Sequence, residues 1–142
     1  MLAKSGIMKY YLFHPLKLEP IEQGLISKNK FKLILDNFPW VELLKEQLKA
    51  SNEEINNSPS IILENEKGIG LNVSIVGELD DYEFYICYKR PTLRKKRKWF
   101  KTIEYLDENW YSIIPQQGLS DVIEAFNHLF DENYDILEKK WG

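Results

Sequence analysis

Cysteine is nearly absent from this chain of 142 residues, in which Cys87 is the only one. A single cysteine excludes an intrachain disulfide, which suits a reducing cytosol. Histidine is scarce too, because His14 and His128 are the only two and lie far apart in the sequence. Protein metal sites are built from clustered His, Cys and carboxylate side chains. We therefore expect no metal site and no cofactor.

Long apolar segments are also missing. No run approaches the roughly 20 apolar residues that cross a bilayer. The first 18 residues lack the apolar core of a signal peptide, because Lys9, His14 and Lys17 interrupt them. We expect a cytoplasmic protein with no membrane segment, in which residues 1–7 are a flexible lead-in.

The sequence contains no motif of a common catalytic site. Gly68-Ile69-Gly70 lacks the third glycine and the following helix of a dinucleotide-binding loop, and it is typical of a turn. Cys87 lies in an alternating strand pattern rather than at a helix N-terminus, where reactive thiols occur. We therefore expect no catalytic residue and no enzyme activity. An acid–base pair of carboxylates that meet only in the folded chain stays the open alternative.

What the sequence does contain is enough apolar surface for an ordered core. Apolar residues make up 44% of the chain and aromatic residues 13%, which excludes a disordered chain. At this length we expect one domain, spanning residues 1–142.

In the first part of the chain, helical patterns follow one strand. Residues 8–13 are bulky and aromatic, which predicts a strand. Proline and glycine predict a loop over residues 14–26. Residues 27–36 fit a helix capped by Ser27 or a strand, and we favour the helix. Residues 39–50 follow a 3.6-residue period after Pro39, which predicts a second helix.

After a polar loop over residues 51–60, the apolar period changes to two. This pattern predicts five strands. One begins at Ile61, one lies around residues 71–75, and three cover residues 82–88, 99–106 and 110–114. Two helices then close the chain, one capped by Ser120 and one over residues 134–140. The predicted fold class is α+β: an antiparallel β-meander of four to six strands with helices packed on one face.

Charge is distributed unevenly along the chain. The net charge is −3, yet residues 89–101 carry eight Lys or Arg and no acid, which leaves −11 on the rest. We expect this stretch to join two strands as a hairpin tip. It could bind nucleic acid, contact a protein partner, or be solvated or paired with the acids of residues 104–142. The patch that would act in the first case consists of Arg90, Arg94, Lys95, Lys96, Arg97, Lys98 and Lys101.

Three segments carry a resemblance to a known class of proteins. They are YEFYICYKRP at 82–91, WFKTIEYL at 99–106 and SDVIEAFNHLFDENYDIL at 120–137. With the small size, acidic charge and lack of catalytic motifs, they resemble the immunity proteins that neutralise bacterial polymorphic or contact-dependent toxins. The resemblance implies a cytoplasmic, non-enzymatic protein that binds a toxin domain and blocks its active site or substrate path.

Candidate contact residues follow from that hypothesis. If the toxin is a basic nuclease, acids on turns along the sheet edges would attract it, and exposed aromatic residues would anchor it. The acids are Glu78, Asp80, Asp81, Glu104, Asp107 and Glu108, and the anchors are Tyr85, Trp99 and Trp110. If the toxin is acidic, the basic stretch takes over this role. The alternative function is a nucleic-acid-binding or regulatory module that uses residues 89–101.

Overall fold

The computed structural model describes residues 7–55 and 57–142, with no side-chain description for Ile7. Residues 1–6 of the predicted lead-in lie outside the described residues, whereas Ile7 begins the first strand. In chain order the elements are β1 (Ile7–Phe13), β2 (Ile21–Ser27), α1 (Lys28–Asp36), α2 (Trp40–Lys49), β3 (Ser60–Glu64), β4 (Gly70–Glu78), β5 (Asp81–Lys89), β6 (Thr92–Lys98), β7 (Lys101–Asp107), β8 (Tyr111–Gln117), α3 (Leu119–Phe130) and α4 (Tyr134–Trp141).

Six of the strands form one antiparallel sheet, in the order β2-β1-β3-β4-β5-β8. Among the strands that the structure describes, β6 and β7 pair only with each other, as a separate two-stranded ribbon inserted between β5 and β8. The predicted α+β class and the antiparallel meander are confirmed.

The core lies between the helices and one face of this sheet. In β5, Phe84, Ile86 and Tyr88 are buried, while the residues between them are only half-buried. Helix α3 covers β4 and β5, and its Phe126 ring meets Phe31 of α1 edge-on at 4.8 Å. This alternation, repeated in β3 and β4, is what a sheet with one covered face requires.

The loop predicted over residues 14–26 is partly wrong, because residues 21–27 form strand β2 and pair with β1. Strand β2 is an edge strand with mostly exposed side chains, so it shows no apolar alternation from which to predict it. A bulge opposite Tyr10 and Tyr11, with Gly24 at a φ of 95°, interrupts its ladder. The next segment forms helix α1, as expected, and Ser27 is its N-cap residue although its side chain makes no capping hydrogen bond.

The predicted cap of the closing helix is also wrong. Helix α3 begins at Leu119 with Gly118 as the N-cap residue, so Ser120 lies inside the first turn. The backbone N–H of Gly118 donates a hydrogen bond of 2.8 Å to the carboxylate of Asp121. The acid therefore caps the helix from within its first turn. Within the described residues, no helix has the length and apolar character needed to cross a membrane.

Candidate functional site

The basic stretch builds a projecting β-ribbon, which we call the arm (residues 92–107). Strands β6 and β7 pair from Thr92 opposite Asp107 to Lys98 opposite Lys101. Each strand has seven residues, which corresponds to a length of about 20 Å. The basic residues therefore lie along a strand, and only Trp99 and Phe100 form the tip. The hairpin tip predicted over residues 89–101 is therefore too long, because residues 92–98 form a strand that could not be predicted from apolar alternation.

A β-bulge separates the arm from the main sheet. The N–H of Arg90 donates to the carbonyl of Trp110 at 2.9 Å, so the ladder of β5 and β8 continues to this pair. Beyond it, Pro91 faces two residues, Glu108 and Asn109, before pairing resumes in the arm. Pro91 has no N–H to donate, and an extra residue on one strand bends a ribbon. From this point the two strands of the arm form a separate two-stranded sheet.

Arg90 fixes the base of the arm to the last helix. Its Nε and Nη2 donate to the carboxylate of Glu138 at 2.9 and 2.7 Å. Its Nη1 donates to the carbonyl of Tyr88 at 3.0 Å and to the hydroxyl of Ser112 at 2.6 Å. Arg90 is only 8% exposed. It is therefore a structural cation and not part of an exposed patch.

A second arginine joins the arm to the residue that precedes β8. The guanidinium carbon of Arg94 lies 3.5 Å from the centre of the Trp110 ring. Such a contact contributes about 0.5–1 kcal/mol at an exposed site. Because Trp110 precedes β8 and Arg94 lies within the arm, the stack bridges the bulge. Trp110, a predicted anchor, is therefore half-buried beneath Arg94.

The tip presents two aromatic rings to solvent. Trp99 is 84% exposed and Phe100 is 94% exposed. Trp99 has a φ of 59° in a turn of two residues, a position that normally takes glycine. A large residue at positive φ costs on the order of 1–3 kcal/mol, and such strain is concentrated at functional sites. The tip thus exposes two aromatic side chains on a turn whose backbone is strained at Trp99.

The cations of the arm have few partners. The arm carries six Lys or Arg and two acids. Of the ion pairs formed within residues 7–55 and 57–142, none includes a cation of the arm. Of the pairing with acids of residues 104–142 that was one hypothesis for this stretch, the described residues show one case, Arg90 with Glu138. Lys89 pairs with Glu64, an acid outside that range.

The arm also exposes apolar side chains. Leu93 and Leu106 lie directly opposite each other and are 68% and 55% exposed. Ile103 and Tyr105 of β7 are also exposed. An apolar pair opposite each other on an uncovered ribbon contributes nothing to the core. The arm therefore combines positive charge with apolar contact surface along its length.

The face of the sheet opposite the core continues from the base of the arm, and we call it the open face. It contains a groove of about 480 Å³, a volume within the range of ligand sites. The groove is bounded near the arm by Lys89 and Tyr111, and it contains the predicted anchor Tyr85. Other residues that line it are Ile62, Glu64, Gly70, Leu71, Asn72, Ser74, Cys87 and Ile113.

Two buried acceptors on the open face lack partners. Asn72 Oδ1 and Glu83 Oε2 are inaccessible to solvent and accept no hydrogen bond from the described residues. By strand register both lie on the side of the sheet away from the core, next to the pair of Ser74 and Tyr85. Burying an unpaired acceptor costs about 1–3 kcal/mol. The open face therefore contains two acceptors that no side chain or backbone group of the described residues satisfies.

Cys87 lies in the same groove but is a poor nucleophile. Burial raises the pKa of its thiol, and the charges of Arg90 and Lys89 offset only part of that shift. The thiolate is therefore scarce at neutral pH. Among the described residues there is also no group of three or more His, Cys, Asp or Glu side chains that could hold a metal.

The acids predicted to contact a partner fall into two separate groups. Glu78, Asp80 and Asp81 are exposed around the turn between β4 and β5, the acidic turn. This turn lies at the far end of β5 from the arm, about 30 Å away for a nine-residue strand. The other three acids lie among the cations of the arm and its bulge: Glu104, Asp107 and Glu108. The six acids therefore do not form one surface.

A comparison of the chain with protein-family models, curated proteins and solved structures finds no match.

Replacing Arg90 with alanine should destabilise the fold far more than the same change at Arg97. Removing Arg90 takes this donor from the buried Tyr88 carbonyl and from the Glu138 carboxylate, whose side chain is itself 55% exposed, and a loss of this kind costs about 1–3 kcal/mol. Arg97 is exposed on the arm, so its loss should change the free energy of unfolding by less than about 0.5 kcal/mol. Urea denaturation of both variants measures this. Equal effects would contradict the role of Arg90.

Stability should also fall in alkaline solution through Tyr88. Burial and the neighbouring Glu138 raise the pKa of Tyr88 to about 12, while Arg90 lowers it in part. An unfolded tyrosine has a pKa of about 10. Between these values the unfolded chain loses this proton before the folded chain does, so the free energy of unfolding decreases as pH rises from about 10 to 12. The decrease should be smaller in Tyr88→Phe, measured by urea denaturation across that range. Identical slopes would exclude Tyr88 as the cause.

Proposed function

We propose that this chain is a non-enzymatic binding protein of the immunity class, which neutralises a bacterial toxin domain in the cytoplasm. The observation that carries the proposal is the arm, a narrow ribbon that exposes two aromatic rings at its tip. A ribbon of these dimensions fits a cleft, and blocking a cleft is a way to inhibit an enzyme without any chemistry.

The arm is suited to insertion because it is held before binding occurs. Arg90 fixes its base to α4, and the stack of Arg94 on Trp110 fixes its direction. A preorganised element loses less conformational entropy on binding, which favours affinity. Trp99 and Phe100 are the anchors that we assign to the tip, since exposed aromatic residues that become buried dominate interface energies.

The charge of the arm favours one kind of cleft over another. Six Lys or Arg against two acids on the arm favour a receiving site lined with carboxylates. The proposal thus shifts the main contact from the predicted acids to the basic residues. The acidic turn, at the opposite end of the sheet, would then contact a second region of a large partner or none.

Rescue of cell growth tests this proposal. The probe is the C-terminal domain of the toxin encoded next to this chain, expressed alone and together with it. Co-expression should restore growth, and Trp99→Ala/Phe100→Ala should abolish the rescue. Leu25→Ala/Leu33→Ala is the matched control, because both leucines are exposed on other elements. This control should rescue like the unchanged chain.

Two results would contradict the proposal. One is the absence of any toxin gene beside the gene for this chain. The other is a toxin domain that purifies without this chain bound and arrests growth in its presence. If the tip variant and the control rescue equally well, the class stands and the arm is not the contact.

A second candidate function is binding of single-stranded nucleic acid by the arm. The specific observation in its favour is that cations which form no ion pair with any described residue lie beside two exposed rings. Backbone attraction and base stacking are how proteins hold single strands. Against it, the chain outside the arm is acidic, whereas nucleic-acid-binding domains are usually basic overall.

Fluorescence anisotropy with random single-stranded DNA and RNA, at two salt concentrations, separates the two functions. If the arm binds nucleic acid, affinity falls steeply with salt. Lys95→Ala/Lys96→Ala/Arg97→Ala/Lys98→Ala should then reduce the salt slope by about 3, the value for four phosphate contacts to a single strand. Under our preferred proposal, binding is equally weak for this variant and for Lys30→Ala/Lys32→Ala, which changes exposed lysines of α1.

A further inference from the structure

The arm and the open face each lack what the other provides. The arm carries cationic donors that form no ion pair within the described chain. The open face carries two buried acceptors, Asn72 Oδ1 and Glu83 Oε2, to which no described residue donates a hydrogen bond. The acidic turn lies beside Glu83 at the end of β5. Within one chain the two surfaces do not meet, because the arm begins where the open face ends.

We infer that two copies of this chain associate by laying the arm of each along the open face of the other. This inference goes beyond the proposed function, because it holds whether or not a toxin domain is the partner. The occupant of the groove is thus a second copy, and the groove and the arm form one self-complementary interface.

The dimensions of the two surfaces agree. Each strand of the arm has seven residues, and the stretch of β5 from residue 83 to residue 89 has the same number. A two-fold axis beside Lys89 and Tyr111 places the base of one arm on the base of the other. Each tip then reaches the end of the partner's β5, where Glu83 and the acidic turn lie. A two-fold interface repeats every contact, so each contact contributes twice to the free energy of association.

The chemistry of the two surfaces also agrees. Leu93 and Leu106 are exposed on the arm, and the groove offers Ile62, Ile113 and Tyr85. Burying these apolar surfaces against each other removes them from water. The end groups of Asn72 and Glu83 rotate about soft terminal torsions. They can therefore turn outward to accept hydrogen bonds from lysine or arginine of the second copy.

Charge reversal tests the inference with the protein alone. In analytical ultracentrifugation the unchanged chain should reach twice its mass of 16.9 kDa as concentration rises, and added salt should weaken this association. The arm-reversed variant is Lys96→Glu/Arg97→Glu/Lys98→Glu, and the face-reversed variant is Asp80→Lys/Asp81→Lys/Glu83→Lys. Each alone should be monomeric, with a dissociation constant raised at least about tenfold.

A mixture of the two variants is the decisive sample. The acidic arm of one meets the basic face of the other, and the two unchanged surfaces also remain matched. A 1:1 complex should therefore form from two monomeric variants, which also shows that both are folded. The control Lys30→Glu/Lys32→Glu/Lys49→Glu changes the net charge as the arm-reversed variant does, at exposed lysines elsewhere, and it should dimerise normally.

The reactivity of Cys87 provides a second measurement of association, because this residue is the only cysteine in the sequence and lines the groove. Its reaction with a thiol reagent should slow as the unchanged chain is concentrated, and not in the arm-reversed variant. The inference is overturned by a chain that stays monomeric, by a dimer that survives reversal of the arm, or by variants that do not combine when mixed.

Discussion

The burial of one arginine at the junction of three elements is the constraint on which the rest of the molecule depends. Arg90 is the last residue before the bulge, and it joins β5 to β8 through Ser112 and to α4 through Glu138. The guanidinium carbon of Arg90 also lies 4.7 Å from the centre of the Tyr88 ring, and this contact connects the junction to the core. A guanidinium removed from water is unfavourable unless its donors are satisfied, so the last helix must be in place before the arm has a fixed base.

The arm exists because the sequence stops providing a buried face at this point. In β5 every second residue is apolar and covered, whereas β6 carries basic residues on both faces. Pro91 and the bulge interrupt the ladder at the same position, so the charged strands separate from the sheet and do not extend its edge. A two-stranded ribbon is marginally stable alone. The continuous strands at its base and the stack of Arg94 on Trp110 therefore supply the order that the ribbon lacks.

Periodic segments could be predicted from the sequence, and contacts between distant residues could not. Strand β5 and helix α2 were predicted because each buries one face at a regular spacing, whereas β2 was missed because an exposed edge strand has none. The basic stretch was recognised, but the separation of Arg90 from it depends on Glu138, which lies 48 positions later. Trp110 was predicted as a free anchor, and only the fold brings Arg94 over its ring. The alternation of strands β4 and β5 predicts which face of the sheet Asn72 and Glu83 occupy. It does not predict that the described residues provide no donor for their oxygen atoms.

Association with a second copy and insertion into a toxin would use the same arm, so the two states compete. A chain whose arm is covered would have to dissociate before that arm enters a cleft, and its apparent affinity for a toxin domain would be reduced in proportion to the fraction of free chains. A toxin domain therefore displaces the second copy only if it binds the arm more tightly at the concentrations in the cell. A carboxylate-lined cleft that encloses Trp99 and Phe100 would meet this condition, because it would bury both rings on all sides, whereas the open face covers one side of the ribbon. Storage on a second copy would also remove exposed aromatic and apolar surface from water until the partner arrives.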